Sequence, residues 1–142
     1  MNVKAILERK GRTVITVLDS IRVEDAVRVM DEHRIGAVVV MNDAGDVRGI
    51  LSERDVMHRI GRDGVAALWG RVAECMTERL QTCHEADGVD AVLAVMTDRR
   101  IRHLPVLRDG HLAGMISIGD LVKARIDEVE RDVENLMSYV AG

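Results

Sequence analysis

A serine followed three residues later by an aspartate occurs twice in this chain, each time after a glycine and a short apolar run. The first pair is Ser52 and Asp55, and the second pair is Ser117 and Asp120. The apolar runs predict buried strands, and the spacing of the residues that follow predicts helices. Each pair is therefore expected at a junction where a strand ends and a helix begins.

Two kinds of chemistry fit a serine and an aspartate at such a junction. The serine can cap the helix, with the acidic residue at the third helical position, as in a capping box. Alternatively, free backbone N–H groups and the helix dipole can bind a phosphate, while the serine hydroxyl adds a donor. The aspartate can then accept hydrogen bonds from a ribose diol. One copy would favour the cap, whereas two copies in similar halves favour nucleotide binding.

Catalysis and metal binding are less favoured by the remaining reactive residues. Glu53, Asp55 and Asp120 could act as acids or bases, but no nucleophile, base and orienting group occur together. The histidines are scattered and show no metal spacing; they are His33, His58, His84, His103 and His111. Cys75 and Cys83 are eight residues apart, so we expect two reduced core thiols, with neither a disulfide nor zinc.

The composition describes a soluble globular protein of 142 residues, 47% hydrophobic and 31% charged. This length suits one domain or two small units that share a core. A net charge of -4, with Trp69 and Tyr139 as the only aromatic residues, argues against nucleic acid as a partner. Without a long apolar run or a signal-like start, we expect a cytoplasmic protein that does not enter a membrane.

The hydrophobic pattern predicts the same order of elements in both halves of the chain. The first half has strands at 13–18, 37–41 and 47–51 and helices at 23–36 and 52–60. The second half has strands at 80–83, 103–107 and 112–116 and helices at 89–98 and from 117 onward. Short leading helices near 3–7 and 72–76 precede the two halves, and residues 61–70 form a linker. The prediction is an α/β fold of small mixed sheets with helices.

The spacing between matching positions indicates an internal repeat. Asp120 lies 65 positions after Asp55, and apolar positions elsewhere recur at 66. A repeat of this length predicts two β-α-β-β-α motifs packed about a pseudo-twofold axis. We place their boundaries at residues 1–70, with the leading helix and the linker, and residues 71–142.

The last helix is predicted to continue to about Val140 and to carry a heptad stripe. Its apolar residues are spaced 3, 4, 3 and 4 apart; they are Ile126, Val129, Val133, Leu136 and Val140. Either this stripe forms a homodimer or the helix packs back on its own domain.

The two motif copies resemble those of the cystathionine-β-synthase (CBS) domain. The resemblance covers residues 49–55 and 114–120, together with the strand starts at 34–40 (Arg-Ile-Gly-Ala-Val-Val-Val) and 100–107 (Arg-Ile-Arg-His-Leu-Pro-Val-Leu). Over residues 10–124 the chain is similar to a tandem pair of such domains, which is called a Bateman module.

The resemblance implies a regulatory module, not an enzyme, that binds adenosine-containing nucleotides such as AMP, ADP, ATP or NAD(H) in clefts between the two halves. In similar modules the aspartate holds the ribose, the serine assists with phosphate, and the adenine lies against the opposite half. One cleft would use Ser52, Arg54 and Asp55, with Leu80, Gln81 and Ile101 near the base. The other would use Arg102, His103, Ser117 and Asp120, with Val14, Ile15, Ile35 and Gly36 near the base.

The two motifs also differ from each other. Arg54 precedes the first aspartate, whereas Gly119 precedes the second. The second cleft is expected to regain charge from Arg100, Arg102 and His103. Unlike clefts would suit unlike ligands, for example AMP in one and NAD(H) in the other. The signal would pass to a separate effector protein. The alternative is a structural or partner-binding dimerisation module in which the nucleotide sites are vestigial.

Overall fold

The computed structural model describes residues 1–141. The first repeat contains α1 (Val3–Lys10), β1 (Thr16–Leu18), α2 (Val23–His33), β2 (Ala37–Met41), β3 (Val47–Ser52), α3 (Glu53–Asp63) and a 3-10 helix (Gly64–Trp69). The second contains α4 (Val72–Cys75), β4 (Cys83–His84), α5 (Val89–Arg99), β5 (His103–Arg108), β6 (His111–Ser117) and α6 (Ile118–Ala141). The predicted α/β class, the two β-α-β-β-α motifs and the long C-terminal helix are confirmed.

The chain divides into two compact units whose limits differ from the sequence boundaries of 1–70 and 71–142. One unit is Val14–Leu80, and the other is Met1–Thr13 together with the chain from Gln81 onward. The difference arises because α1 packs with the second repeat, where Leu7 is fully buried, and α4 packs with the first, where Val72 is fully buried. An amphipathic helix requires an apolar partner surface, but its sequence does not say which surface.

Each unit is built on a three-stranded mixed sheet with the same topology. The first strand pairs parallel to the second, and the second pairs antiparallel to the third, in the orders β1-β2-β3 and β4-β5-β6. The central strands are buried on both faces, as continuous apolar runs predict. Both sheets shift register at the same point of the repeat, at Val40/Met41 and at Val106/Leu107. The repeat therefore extends to backbone irregularities.

The first strand of each sheet is shorter than predicted, and β4 is the shorter of the two. In the first repeat the Val39 N–H donates to the Ile15 carbonyl at 3.3 Å. The matching position in the second repeat is Pro105, which has no N–H to donate toward Gln81. Four residues expected near the adenine consequently precede the strands instead of lying within them: Val14, Ile15, Leu80 and Gln81.

The helices α2 and α5 end in the same unusual way. Arg34 and Arg100 both adopt the left-handed conformation at φ 54°, which a non-glycine residue seldom does. The following amides, those of Ile35 and Ile101, donate to carbonyls in the last turn of the helix at 3.0 Å in each repeat. These caps set the direction in which Ile35 and Ile101 lead into the central strands.

Polar contacts at both ends hold α1 against the second repeat. The Val3 N–H donates to the Asp87 carbonyl at 3.0 Å, and the Lys4 N–H donates to the Glu85 carbonyl at 2.9 Å. Beyond the helix, Arg12 pairs with the buried Glu85 side chain, and its hydrogen bond and charge lower the pKa of that carboxyl group. The segment that follows β4 thus holds both ends of α1.

The long helix α6 buries only Leu121 and Ala124. Its heptad stripe is at least half exposed throughout: Ile126 51%, Val129 54%, Val133 50%, Leu136 65% and Val140 79%. The stripe therefore does not pack back on the described chain. Within residues 1–141, no helix has the length and apolar character that a membrane span requires.

Candidate functional site

The first motif forms a complete capping box at the start of α3. The Ser52 N–H donates to Asp55 Oδ2 at 2.9 Å, and the Asp55 N–H donates to Ser52 Oγ at 3.2 Å. The Ser52 hydroxyl also lies 3.0 Å from Asp55 Oδ2 and donates to it. The carboxylate is therefore held in one orientation at the N-terminus of the helix.

The second motif repeats this arrangement at the start of α6. The Ser117 N–H donates to Asp120 Oδ2 at 2.9 Å, and the Asp120 N–H donates to Ser117 Oγ at 3.1 Å. Both aspartates are only partly buried, so ligand atoms can reach them. The chain thus presents two matched and pre-oriented carboxylates, one for each repeat.

Fewer backbone N–H groups are available for a phosphate than the sequence argument predicts. The first amide of α3, that of Glu53, donates to the Gly36 carbonyl at 2.9 Å. The first amide of α6, that of Ile118, donates to the Arg102 carbonyl at 2.8 Å. With the aspartate amides engaged by the serines, each helix has already used two of its N-terminal donors. A phosphate at either motif would therefore depend more on side chains.

The predicted site residues are divided between the two compact units. The unit of the first motif contains Val14, Ile15, Ile35, Gly36, Ser52, Arg54, Asp55 and Leu80. The other unit contains Gln81, Ile101, Arg102, His103, Ser117 and Asp120. Each predicted cleft combines residues from both lists, and this combination stays a prediction. Within each unit, the structure brings serine, aspartate and the start of the central strand together.

A third residue contacts each aspartate, and sequence reasoning did not identify either one. The Thr77 hydroxyl donates to Asp55 Oδ1 at 2.9 Å. The Lys10 ammonium donates to Asp120 Oδ2 at 2.6 Å. Thr77 follows α4 and Lys10 ends α1, so both occupy the same topological place behind a short leading helix.

The match between these two residues extends to the strand beside the motif. The Thr77 amide donates to the Ile50 carbonyl at 2.9 Å. The Lys10 ammonium donates to the carbonyl of Met115, the residue 65 positions after Ile50, also at 2.9 Å. One lysine side chain thus makes both contacts for which Thr77 uses its hydroxyl and its backbone. No sequence pattern signals the lysine, because its partners lie more than 100 residues away.

The two carboxylates consequently differ in their electrostatic environment. Partial burial disfavours the charged form of Asp120, but Lys10 and the Ser117 hydrogen bonds outweigh it, so the pKa of the Asp120 carboxyl group is lowered. Asp55 instead has a neutral hydroxyl beside it, and both of its oxygens accept hydrogen bonds. Asp120 Oδ2 accepts hydrogen bonds from the Lys10 ammonium and the Ser117 amide.

Replacing Lys10 with methionine is expected to lower the free energy of unfolding by about 0.5–1 kcal/mol at neutral pH. Because the folded pKa of Asp120 is depressed, its ionised form stabilises the fold above the unfolded pKa. This contribution is lost as pH falls through the folded pKa, so the variant and the wild type should converge in acid. Urea unfolding at neutral and acidic pH measures the difference.

The control is Arg62→Met, at an exposed position in the other unit. If Lys10→Met lowers the free energy of unfolding equally at both pH values, the ion pair between Lys10 and Asp120 does not explain the loss.

A cavity of about 240 Å³ lies in the unit of the first motif, away from the serine and aspartate. It is formed by the end of α3, the 3-10 helix and α4, and its charged walls are Arg59, Asp63, Arg71 and Glu74. Arg59 pairs with Asp63 at 2.7 Å and donates to the Glu74 carbonyl at 2.9 Å. Its volume is below that of ordinary ligand pockets, and Arg59 and Asp63 pair with each other in its wall, so it is not the proposed site.

The cysteines are free thiols, and each belongs to the core of its own unit. Burial, with a contribution from Asp87, raises the pKa of the Cys83 thiol to about 12. Burial and the charge of Asp55 also raise the pKa of the Cys75 thiol, although Arg59 opposes this. Both thiols are therefore protonated and weakly nucleophilic at neutral pH. Residues 1–141 contain no group of three or more histidine, cysteine or acidic residues that could hold a metal ion.

The family model for the CBS domain matches this chain twice, over residues 3–62 and 72–127. The chain belongs to the CBS domain family. Its internal repeat is a pair of CBS domains, and each domain carries one of the two motifs. The matched residues include both short leading helices, and the second match ends fourteen residues before α6 does.

Similar proteins support this assignment over most of the chain. The mitochondrial CBS domain-containing protein CBSX3 of Arabidopsis thaliana is 37% identical over 124 residues, which are 84% of this chain and 60% of that protein. This chain thus spans less than two thirds of that relative. The crystal structure of a CBS-domain containing protein from Agrobacterium tumefaciens is 43% identical, with a TM-score of 0.86, and the match covers 87% of this chain and 92% of that one.

A more distant CBS domain pair has been solved with ligands bound. The pair of protein MJ0100 is 24% identical, with a TM-score of 0.76, and the match covers 87% of this chain and 98% of that one. That protein was crystallised in complex with 5'-methylthioadenosine and S-adenosyl-L-methionine. At this identity the likeness shows a shared fold alone.

Proposed function

We propose that this chain is a regulatory ligand-sensing module that binds adenosine-containing nucleotides, with one site at each of the two motifs. The observation that carries the proposal is the pair of pre-oriented carboxylates, Asp55 and Asp120, each fixed by a serine at the start of a helix. A carboxylate held in this way can accept both hydroxyl protons of a ribose diol. A capping role accounts for the same hydrogen bonds, so a binding measurement separates the two functions.

The two sites are proposed to differ in preference. At the first, Arg54 supplies positive charge and Thr77 supplies a hydroxyl beside Asp55. At the second, the Lys10 ammonium contacts Asp120. Arg102 and His103, at the start of β5, are further basic side chains. These differences suit a mononucleotide such as AMP, ADP or ATP at one site and a dinucleotide such as NAD(H) at the other. The adenosine compounds bound by MJ0100 place S-adenosyl-L-methionine and 5'-methylthioadenosine among the candidates to test.

We propose regulation instead of catalysis because the chain is a pair of CBS domains. The signal would pass to an effector protein. Ligand binding would favour one arrangement of the chain over another, and the effector would bind that arrangement. The cytoplasmic location expected from the sequence stays a prediction.

A thermal-shift panel tests the proposal with AMP, ADP, ATP, NAD, NADH, S-adenosyl-L-methionine and 5'-methylthioadenosine. A ligand present at about 100 times its Kd should add about 2.7 kcal/mol to the free energy of unfolding. Asp55→Asn and Asp120→Asn should each reduce the shift. Asp43→Asn, in the exposed β2–β3 turn, is the matched control and should retain it. If no compound of the panel raises the melting temperature of the wild type, the proposed function is wrong.

A second candidate function is a dimerisation module in which the two motifs serve only as helix caps. The exposed apolar stripe of α6 favours it. Under this alternative, both aspartate variants would lose stability without any change in nucleotide response, because the wild type would show none.

A further inference from the structure

The last part of α6 is a helix without a partner in the described chain. The CBS match ends at residue 127, yet the helix continues to Ala141, and every residue from 129 to 141 is exposed. Four of these residues, together with Ile126, form the apolar heptad stripe. A helical segment of this length is marginal in water unless its apolar face is covered.

The helix can bind a partner without giving up its own fold. Leu121 and Ala124 pack into the core of their unit, and at 100° per residue they lie on the side of the helix away from the stripe. Because the first turns pack into the core in this way, the helix is already nucleated when a partner binds. Even a short stripe can then form a stable interface.

We propose that the stripe binds α6 of a second copy of this chain in a parallel two-stranded coiled coil, which makes the protein a homodimer. This inference does not depend on nucleotide binding. Its core positions follow from the heptad: Ile126, Val133 and Val140 at a, with Val122, Val129 and Leu136 at d. All six are apolar, as the core positions of a coiled coil require.

The flanking charges distinguish a parallel pair from an antiparallel pair. In the parallel arrangement Arg125, at position g, lies beside the partner's Glu130, at position e, and symmetry forms this pair twice. Arg125 already contacts Asp90 at 3.1 Å and Glu128 at 3.6 Å, but both contacts use Nη1. The remaining guanidinium N–H groups can therefore reach a partner.

The antiparallel arrangement that keeps all six apolar layers places like charges together. Asp132 would then face its own copy at the g positions, and Glu130 would face its own copy at the e positions. Each contact between like charges is unfavourable, and no opposite charge compensates for it. Charge complementarity thus selects the parallel orientation, while the apolar layers supply the affinity.

Sedimentation analysis of the purified chain tests the interface. The wild type should be a dimer, and Val133→Asp should weaken dimerisation by at least about 100-fold, because it buries a carboxylate in the central layer. Arg131→Asp, which adds the same side chain on the outer face of α6, should leave the dimer unchanged. A wild type that stays monomeric at micromolar concentrations, or a Val133→Asp variant that dimerises as tightly, would overturn the proposal.

Disulfide cross-linking tests the orientation. Val140→Cys should form an intermolecular disulfide, because a parallel pair places residue 140 beside its own copy. Glu130→Cys should cross-link poorly, whereas an antiparallel pair would reverse this order. The native thiols interfere little, since burial raises the pKa of both Cys75 and Cys83. Efficient cross-linking of Glu130→Cys without that of Val140→Cys would overturn the parallel coiled coil.

Discussion

Replacing Gly49 with alanine is expected to lower the free energy of unfolding by about 3 kcal/mol. A Cβ at this position would lie 2.4 Å from the Thr77 carbonyl oxygen and 3.3 Å from Met76 Sδ. Thr77 cannot retreat easily, because it exchanges two backbone hydrogen bonds with Ile50, at 3.0 and 2.9 Å. The glycine of the first motif is thus required by the close approach of the segment that follows α4.

The matching substitution in the second motif provides the control. In Gly114→Ala the new Cβ would meet Leu7 side-chain atoms, the nearest at 2.7 Å, and no backbone atom is among its nearest contacts. The end of a leucine side chain can rotate away, so a cost of about 1 kcal/mol is expected. Urea unfolding of both variants measures the two costs. A Gly114→Ala loss as large as that of Gly49→Ala would contradict this explanation.

Replacing Leu7 with alanine is expected to cost about 3 kcal/mol, because Leu7 is fully buried in the core of the second repeat's unit. The same substitution removes the atoms that a Cβ at position 114 would meet. In the Leu7→Ala background, Gly114→Ala should therefore cost nothing or restore some stability by filling the space. The double variant should be at least as stable as Leu7→Ala alone.

A double-mutant cycle of these two substitutions measures their coupling. An interaction energy of about 1 kcal/mol or more, with the double variant more stable than the sum predicts, is the expected result. Additive losses would mean that α1 does not pack on β6 at this contact. The cycle also bears on the second motif, because the packing of Leu7 places the end of α1, and therefore Lys10, at Asp120.

Local and periodic features of this fold could be predicted from the sequence. The repeat of 65 or 66 residues, the two caps at Ser52 and Ser117 and the hairpin at Asp109 depend on residues close together in the chain. Asp109 and the following Gly110 both have positive φ, as the Asp-Gly pair predicts. The apolar stripe of α6 could also be predicted, since a heptad spacing does not depend on tertiary structure. Its exposure could not, because the sequence equally allowed the helix to pack back on its own domain.

Features that depend on distant contacts could not be predicted from the sequence. The spacing of Val3, Ile6 and Leu7 shows that α1 has an apolar face, but it does not show that this face belongs to the second repeat. The sequence predicts only that the first helix ends near Lys10. In the structure the Lys10 ammonium contacts Asp120, 110 positions later. The sequence also did not show that the first amides of α3 and α6 are occupied. Their acceptors, such as the Gly36 carbonyl, precede a different strand.

Calorimetric titration tests the central claim, that the two motifs form two unlike nucleotide sites. The ligand from the panel that stabilises the wild type most should be titrated into the wild type, Asp55→Asn and Asp120→Asn. We predict two binding events of different affinity in the wild type, and the loss of a different event in each variant. No binding, two identical events, or binding that neither substitution weakens would contradict the account.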